Sequence, residues 1–321
     1  MSESGRAANG AMVLFCRLYR LAAAPLRRVE LGFRVVLHAA PAPLLVLLAI
    51  VFIHLGVALA TTLFFSLGVV GSAFVRIAFT ALVLLALSQP RPSRLSGGSL
   101  LWVVLTGFAI AGLNLFFYQA VARLPLGVVV MIEFLGPLGV AVVASRRARE
   151  YLWVVLAVGG ILLLAPLGEI RLDGVGFAFA LAAGVCWAAY IVFGGRLGRQ
   201  VPGGEGLALA MTVAALVLLP SGLASGGLAL LLPKWLVIGF AVALVSTVIP
   251  FSLEFEAMRR MSPRAFGVLL SSEPAVAALV GVAFLGDRLS LQQLAALLLI
   301  SVAAVGSTLA ERGEERSAIS G

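Results

Sequence analysis

The sequence predicts an all-α membrane protein, with ten transmembrane helices arranged as two inverted five-helix repeats around a central cavity. Three observations support this prediction. The composition is too apolar for a soluble domain, the apolar residues fall into ten spans of membrane length, and a carboxylate beside a proline occurs in both halves of the chain.

The composition places the chain in a lipid bilayer. Of its 321 residues, 62% are hydrophobic and 12% are charged, whereas soluble domains have roughly 45–50% apolar and about 25% charged residues. A single soluble core could not bury this many apolar residues, because a soluble protein also needs polar residues on its surface. The net charge is +9, but the arginines are scattered between apolar runs. No basic soluble domain remains, so nucleic-acid binding is not expected.

Ten apolar spans lie between a basic N-terminal arm and a short polar tail. Each is close to the roughly 20 residues that cross the hydrocarbon, and each should be an α-helix because lipid leaves no partner for unpaired backbone groups. The approximate limits are 44–65, 70–88, 99–121, 124–144, 151–167, 174–197, 204–224, 235–258, 262–286 and 289–310.

The arginines predict the orientation in the membrane. Cytoplasmic loops carry an excess of Lys and Arg. With the N-terminus inside, 18 basic residues fall in cytoplasmic segments and 4 in outside loops. We therefore expect both termini to be cytoplasmic.

A faint internal repeat relates the two halves. Residues 120–125 resemble residues 257–262, and a proline follows the arginine of each run by fourteen residues, as Pro137 and Pro274. Because five spans is an odd number, the second half must insert upside down, and inverted repeats place a binding site near the bilayer midplane. The predicted arm, first repeat, second repeat and tail are residues 1–40, 41–168, 169–310 and 311–321.

Three carboxylates are the strongest candidates for a functional site. Glu133 has at least eight uncharged residues on either side, Glu273 directly precedes Pro274, and Glu254 lies within the eighth span. Acids inside spans usually face a bundle interior or a wet cavity and mark a transport pathway, and Pro274 also frees a backbone carbonyl. We interpret these acids as binding a substrate ammonium group or a coupling proton. The alternative is a neutral carboxyl that hydrogen-bonds two helices together.

Five further polar or aromatic side chains could line the same cavity. Arg76, the basic residue inside a span, could pair with an acid, extend to the interface or hold a substrate carboxylate in its planar fork. Asn114 and Tyr118 are one helical turn apart, and Trp187 and Tyr190 are three residues apart, so each pair can share a face. The aromatic residues could equally serve packing or the interfacial belt.

The sequence shows no catalytic pattern and no metal site. Cys16 and Cys186 are isolated, as is His54, which we interpret as a polar residue on a packed helix face. Unrelated thiols give neither a disulfide framework nor a metal cluster. Hydrolase, phosphate-binding and metalloprotease motifs are absent. We therefore expect no enzymatic activity, no cofactor and no metal.

Several runs resemble a known family, the EamA branch of the drug/metabolite transporter superfamily, and most closely its inner-membrane threonine/homoserine exporters. These runs include 133–138, 145–147, 153–157, 186–191, 250–254, 273–275 and 284–286. The resemblance extends from about residue 44 to 310. It implies ten helices in two inverted repeats and a cavity lined by spans three, four, eight and nine, with parts of one and six. It also implies that Glu133, Glu254, Glu273, Tyr118 and Trp187 match the family's intramembrane acids and aromatics.

The expected function is secondary active export of small amino acids or related metabolites across the inner membrane, by alternating access and coupled to protons. Export of hydrophobic drugs or nucleobases by the same architecture is the main alternative. A passive channel and a membrane-embedded enzyme are further alternatives. The expected partners are a small-molecule substrate, protons and the lipid bilayer.

Overall fold

A computed structural model describes residues 40–90, 95–124, 126–145, 148–164, 173–201, 204–273, 276 and 291–320. All regular elements in these ranges are helical, including one 3-10 turn at Gly227–Leu231 and one π-helical turn at Leu244–Val248. The α-helices are α1 Ala42–Ser88, α2 Gly97–Val121, α3 Leu126–Glu133, α4 Leu135–Ala144, α5 Ala148–Leu164, α6 Gly174–Gln200, α7 Glu205–Gly226, α8 Pro233–Ala243, α9 Ile249–Arg260, α10 Pro263–Leu270 and α11 Leu291–Ser320.

The prediction of an all-α membrane protein is confirmed. Within the described ranges, five helical stretches are long and apolar enough to cross a membrane, at Ser66–Ser88, Gly97–Val121, Gly174–Gln200, Glu205–Leu231 and Pro233–Arg260. Shorter apolar helices occur at Ala42–Gly56, Val128–Ala144, Glu150–Leu163 and Leu294–Ser307. The basic arm up to residue 39, Pro274 and the part of span nine after residue 276 lie outside the described residues. The ten-span inverted repeat stays a prediction.

A glycine interrupts α1 where the sequence separates the first two spans. Gly68 has φ 67° and ψ 169° inside otherwise helical backbone, a region that residues with a Cβ avoid. A Cβ there would also lie 2.6 Å from Ser225 Oγ. Ser225 Oγ donates to the carbonyl of Leu67 at 3.2 Å and accepts from the Gly71 amide at 3.2 Å. The break in α1 is therefore hydrogen-bonded to α7.

The fourth predicted span is interrupted at its carboxylate. Glu133 is the last residue of α3, and α4 begins at Leu135 after the single turn residue Phe134. Pro137 then falls in the first turn of α4, where a missing N–H is tolerated because that group has no helical partner. The proline therefore does not break a helix in its middle; it lies just after the interruption that ends α3 at Glu133.

The eighth predicted span contains a π-helical turn. Leu244–Val248 separates α8 from α9, and Pro250 occupies the first turn of α9. Such turns insert one residue into a helix and often occur at functional sites. The structure also shows how the seventh and eighth predicted spans are separated. Helix α7 continues through Pro220 to Gly226, and the 3-10 turn then leads into α8.

Glycines allow the helices to approach closely. A side chain at Gly136 of α4 would collide with the carbonyl of Gly184 in α6, and one at Gly267 of α10 would collide with the carbonyl of Pro137. Small residues at such contacts are typical of membrane helix packing. Large apolar side chains cover the outside of the bundle, among them Val143, Val155, Val185, Leu228 and Leu298. This is the arrangement expected of a bundle surrounded by hydrocarbon chains.

We predict that Gly136→Ala destabilises the protein, because the new methyl group meets backbone that cannot move aside. Overpacking of this kind costs about 1–3 kcal/mol. Gly139→Ala, three residues along the same helix, is the matched control, since a Cβ at Gly139 has no atom within 4 Å. Thermal unfolding of both variants in one detergent measures the difference. Equal melting temperatures would contradict the close contact between α4 and α6.

Candidate functional site

The structure brings the three predicted acids together from different parts of the chain. Glu133 ends α3 and is 7% exposed, Glu254 lies in α9 and is 4% exposed, and Glu273 follows α10 and is partly exposed. The Glu273 carboxyl lies near enough to those of both Glu133 and Glu254 for their negative charges to repel one another. Three carboxyls therefore share one buried region inside the helix bundle.

Tyr190 is the hydrogen-bond partner of Glu254. Its hydroxyl donates to Oε2 of Glu254 at 3.2 Å, and both side chains are buried. The Tyr190 ring also packs against Phe251 of α9, with ring centroids 5.6 Å apart. A buried polar group needs such a partner, so Tyr190 fixes the position of one acid from the neighbouring helix.

Helix α6 contacts the acid region along one face. A Cβ on Gly184 would lie 3.0 Å from the backbone oxygen of Glu133, and the ring of Trp187 lies 5.0 Å from that of Phe134. Gly184, Trp187 and Tyr190 are spaced by three residues and therefore lie close to one face of the helix. The predicted pairing of Trp187 with Tyr190 on one face of α6 agrees with these contacts.

His54 also lies in this region, although its sequence context favoured a polar residue on a packed helix face. Its Nδ1 lies 2.8 Å from the carbonyl of Ile50, which can only accept, so Nδ1 carries a proton and Nε2 remains for other contacts. The imidazole is near enough to Glu273 for electrostatic attraction between them. The signal in the sequence was the presence of an ionisable residue inside a span, which by itself favours function.

Arg76 belongs to a second group of polar side chains, separate from that of the three acids. Its Nε donates to Oγ1 of Thr247 at 3.3 Å, and one terminal nitrogen donates to the hydroxyl of Tyr118 at 3.4 Å. Among the described residues, no carboxylate lies within ion-pair distance of Arg76, so the pairing with Glu133 or Glu273 that the sequence left open is not found there. Thr247 belongs to the π-helical turn, and sequence reasoning did not identify it.

Asn114 makes a different contact from its neighbour Tyr118. Its amide nitrogen donates to the carbonyl of Ile110, one turn back in α2, at 2.9 Å. The two side chains are one turn apart as predicted, but only Tyr118 reaches Arg76.

Pro137 packs against α10 through its carbonyl, opposite Gly267.

The two polar groups are linked through one helical stretch. Thr247 contacts Arg76, and Glu254, seven residues further on, contacts Tyr190. Seven residues correspond to a rise of about 10 Å. The Thr247 end of this stretch therefore lies beside the donors of Arg76, and the other end presents a carboxylate. In the part of the chain that the structure describes, no group of three or more His, Cys, Asp or Glu has a geometry that could hold a metal ion.

Comparisons with known proteins identify the family. Residues 174–309 match the model of the EamA-like transporter family. The threonine/homoserine exporter RhtA of Salmonella typhimurium strain SL1344 is 42% identical over 275 residues, which cover 85% of this chain and 93% of that protein. The chain belongs to the EamA-like transporter family. The RhtA protein of Escherichia coli strain K12 is 41% identical over 277 residues, covering 85% of this chain and 94% of that protein.

Two further similarities are consistent with this membership. An uncharacterized transporter of Bacillus subtilis strain 168, YwfM, is 28% identical over 151 residues, covering 46% of this chain and 51% of that protein. A solved crystal structure superposes with a TM-score of 0.69 over 85% of this chain and 98% of that chain, at 22% identity. That structure shows the fold alone. As an EamA-like protein, this chain is a membrane transporter, and five helical stretches among its described residues are long and apolar enough to span a bilayer.

We predict that Tyr190→Phe destabilises this EamA-like protein, because it leaves the buried Glu254 carboxyl without its donor. The expected loss is about 1–3 kcal/mol. Tyr151→Phe is the control: its hydroxyl donates to the Ser145 carbonyl at 3.2 Å, but Tyr151 is exposed, so its loss should change stability by less than about 0.5 kcal/mol. Thermal unfolding in detergent compares them. Equal shifts would show that the Tyr190–Glu254 bond adds nothing.

Proposed function

We propose that this protein is a secondary active exporter of small amino acids, such as threonine and homoserine, across the inner membrane. Export proceeds by alternating access and is coupled to protons. The observation that carries the proposal is the group of Glu133, Glu254 and Glu273, of which the first two are buried, in a chain 42% identical to threonine/homoserine exporters. Acids buried inside a bundle are typical of substrate and ion pathways.

The two polar groups fit the two charges of an amino acid. The ammonium group of a zwitterion needs a carboxylate, which Glu133, Glu254 or Glu273 supplies. The substrate carboxylate needs donors, which Arg76 supplies. A guanidinium fork matches a carboxylate in a bidentate geometry, and the present contacts of Arg76 are with neutral hydroxyls, which a charged substrate group can replace.

The remaining predicted residues complete this site. In our proposal Asn114 and Tyr118 contribute polar contacts from α2, and Trp187 and Tyr190 form its wall on α6. At the turn between α3 and α4, Pro137 has no N–H to donate to the carbonyl of Glu133, and that carbonyl lies against Gly184 of α6. Irregular backbone of this kind occurs inside membranes where it lines a cavity. Pro274, the predicted counterpart of Pro137, lies outside the described residues.

The grouping of the acids supports the proposed coupling of export to protons. A proton and a substrate ammonium group can each neutralise the same carboxylates, so the two compete for one site. Such competition is a simple basis for exchanging an outgoing amino acid for an incoming proton. The His54 imidazole, near Glu273, adds a polar side chain from α1 to this region.

Contacts between equivalent helices support the proposal of two inverted repeats at 41–168 and 169–310. If five spans are repeated, span two corresponds to seven, four to nine and five to ten. Each of these pairs is in contact: Gly71 with Gly226, Pro137 with Gly267, and Gly160 with Ile300. Inverted repeats that pair in this way can rock against each other around a fixed central site.

The proposed orientation places both termini in the cytoplasm. It rests on the basic residues, which lie mainly in the segments that would then be cytoplasmic. In this orientation the loops after α4, α6 and α9 face the cytoplasm. Asp173, which lies 3.9 Å from Arg123 at the other end of the bundle, faces outward.

We predict that Glu133→Gln abolishes export while the protein still folds, because the amide can bind neither a proton nor an ammonium group. The measurement is efflux of labelled threonine and homoserine from proteoliposomes, with and without a pH gradient. Glu205→Gln is the matched control, since Glu205 lies in the first turn of α7, and its rate should equal that of the wild type.

Three results would redirect this proposal. Wild-type export by the Glu133 variant would remove that carboxyl from the mechanism. Resistance to dyes or nucleobase analogues without any amino-acid efflux would favour the drug-export alternative. Flux that neither saturates nor responds to a pH gradient would indicate a channel.

We predict that Arg76→Gln raises the KM for threonine by about tenfold or more, the effect of one lost charge-assisted hydrogen bond. The KM for threoninol, which has no carboxylate, should stay unchanged. Arg123→Gln, in the exposed turn after α2, is the control. An equal rise in KM for both compounds would show that Arg76 acts on the fold rather than on the substrate carboxylate.

A further inference from the structure

A groove lies between α4 and α6 and begins beside Ile132, the neighbour of Glu133. Its volume of about 570 Å³ falls within the roughly 300–1,000 Å³ typical of ligand sites. Its walls are apolar residues of α4 and α6, and Arg196, Arg199 and Pro263 stand at one end. The eight side chains proposed to bind substrate or protons do not line it.

The shape of the groove follows from one close contact. Helices α4 and α6 touch at Gly136 and Gly184 and leave space between them further along. A Cβ at Gly139 would meet no atom within 4 Å. Val143 is 86% exposed and Val185 68% exposed, so the groove opens sideways, toward the hydrocarbon of the bilayer, and not into the bundle.

Two arginine side chains lie at the end of the groove that meets the membrane surface. Arg196 and Arg199 are both exposed, near the last turn of α6. The Arg196 guanidinium lies 5.2 Å above the ring of Trp102, and tryptophan is typical of the membrane–water interface. Within the described part of the chain, neither arginine forms an ion pair with a carboxylate, so both charges face the headgroup region.

We propose that this groove binds one anionic phospholipid, with an acyl chain between α4 and α6 and its phosphate on Arg196 and Arg199. From Leu135 to Ala144 the wall of α4 rises about 14 Å, close to half of the roughly 30 Å hydrocarbon thickness. An acyl chain of one leaflet therefore matches the groove in length. Basic pockets between transmembrane helices on the cytoplasmic side are suited to anionic headgroups.

Charge favours a lipid over a second copy of the chain. Two copies facing each other through this groove, around an axis along the membrane normal, would bring their arginines to the same depth. Like charges then repel, whereas a phosphate neutralises both. A phospholipid also satisfies the apolar wall and the cationic end with one molecule.

The test is lipid binding to the purified full-length protein in neutral detergent, with phosphatidylglycerol and phosphatidylcholine titrated separately and counted by native mass spectrometry. We expect a clear preference for phosphatidylglycerol. Arg196→Gln should weaken its binding about fivefold, and the double variant with Arg199→Gln about 30-fold. Lys234→Gln, which removes an exposed charge at the start of α8, should bind as the wild type does.

A second arm tests the apolar part of the groove. Gly139→Leu fills the space beside α4 and should weaken binding of both lipids, whereas Gly139→Ala should not. The double variant Arg196→Lys/Arg199→Lys keeps both charges and should retain the preference for phosphatidylglycerol. It also keeps the test decisive if the glutamine variants do not fold.

Four outcomes would overturn the proposal. The first is an unchanged lipid preference after both arginines are replaced by glutamine, and the second is unchanged binding by Gly139→Leu. The third is equal competition by soluble glycerol phosphate, which would mean an anion site without an acyl chain. The fourth is a dimer in lipid-free detergent that Gly139→Leu converts to a monomer, which would make the groove an interface between copies.

Discussion

The structure depends on burying carboxyl groups inside the helix bundle, apart from bulk water. A carboxylate that leaves water for hydrocarbon loses most of its hydration energy, and only polar or charged partners inside the protein replace it. Glu133 and Glu254 are both buried among helices, and Tyr190 and His54 come to this region from two other helices. The bundle therefore has to bring together segments that are distant in sequence, and its close packing serves that requirement.

Small residues make this enclosure possible. Gly136, Gly184 and Gly267 remove the side chains that would hold α4, α6 and α10 apart. Helices in lipid gain little from burying apolar surface against each other, so close backbone contact contributes much of their association. The same contact that seals the acid site on its inner side creates the groove on the outer side, because α4 and α6 separate beyond Gly136. Packing and lipid binding are in this sense two results of one arrangement.

Interruptions in the helices supply the polar geometry. Gly68 breaks α1 between His54 and Arg76, Phe134 separates α3 from α4 beside Glu133, and the π-helical turn presents Thr247 to Arg76. A regular helix satisfies its own backbone and leaves little for a ligand. Breaks release donors and acceptors inside the membrane, where such groups persist if protein or a cavity surrounds them. The interruptions at Phe134 and at Leu244–Val248 lie next to a predicted site residue or include one of its partners.

The sequence by itself determined which residues carry charge in the membrane. Ionisable groups stand out in apolar spans, so Glu133, Glu254, Glu273 and Arg76 could be identified from spacing and composition, as could the helical class. Their partners could not, because a threonine or tyrosine in an apolar run gives no signal of what it contacts some hundred residues away. Only the tertiary structure decided that Arg76 meets Thr247 and Tyr118, that Tyr190 holds Glu254, and that α4 and α6 leave a groove. The reason is that contacts between helices depend on close packing across long stretches of sequence, whereas the cost of a charge in hydrocarbon is a property of each residue alone.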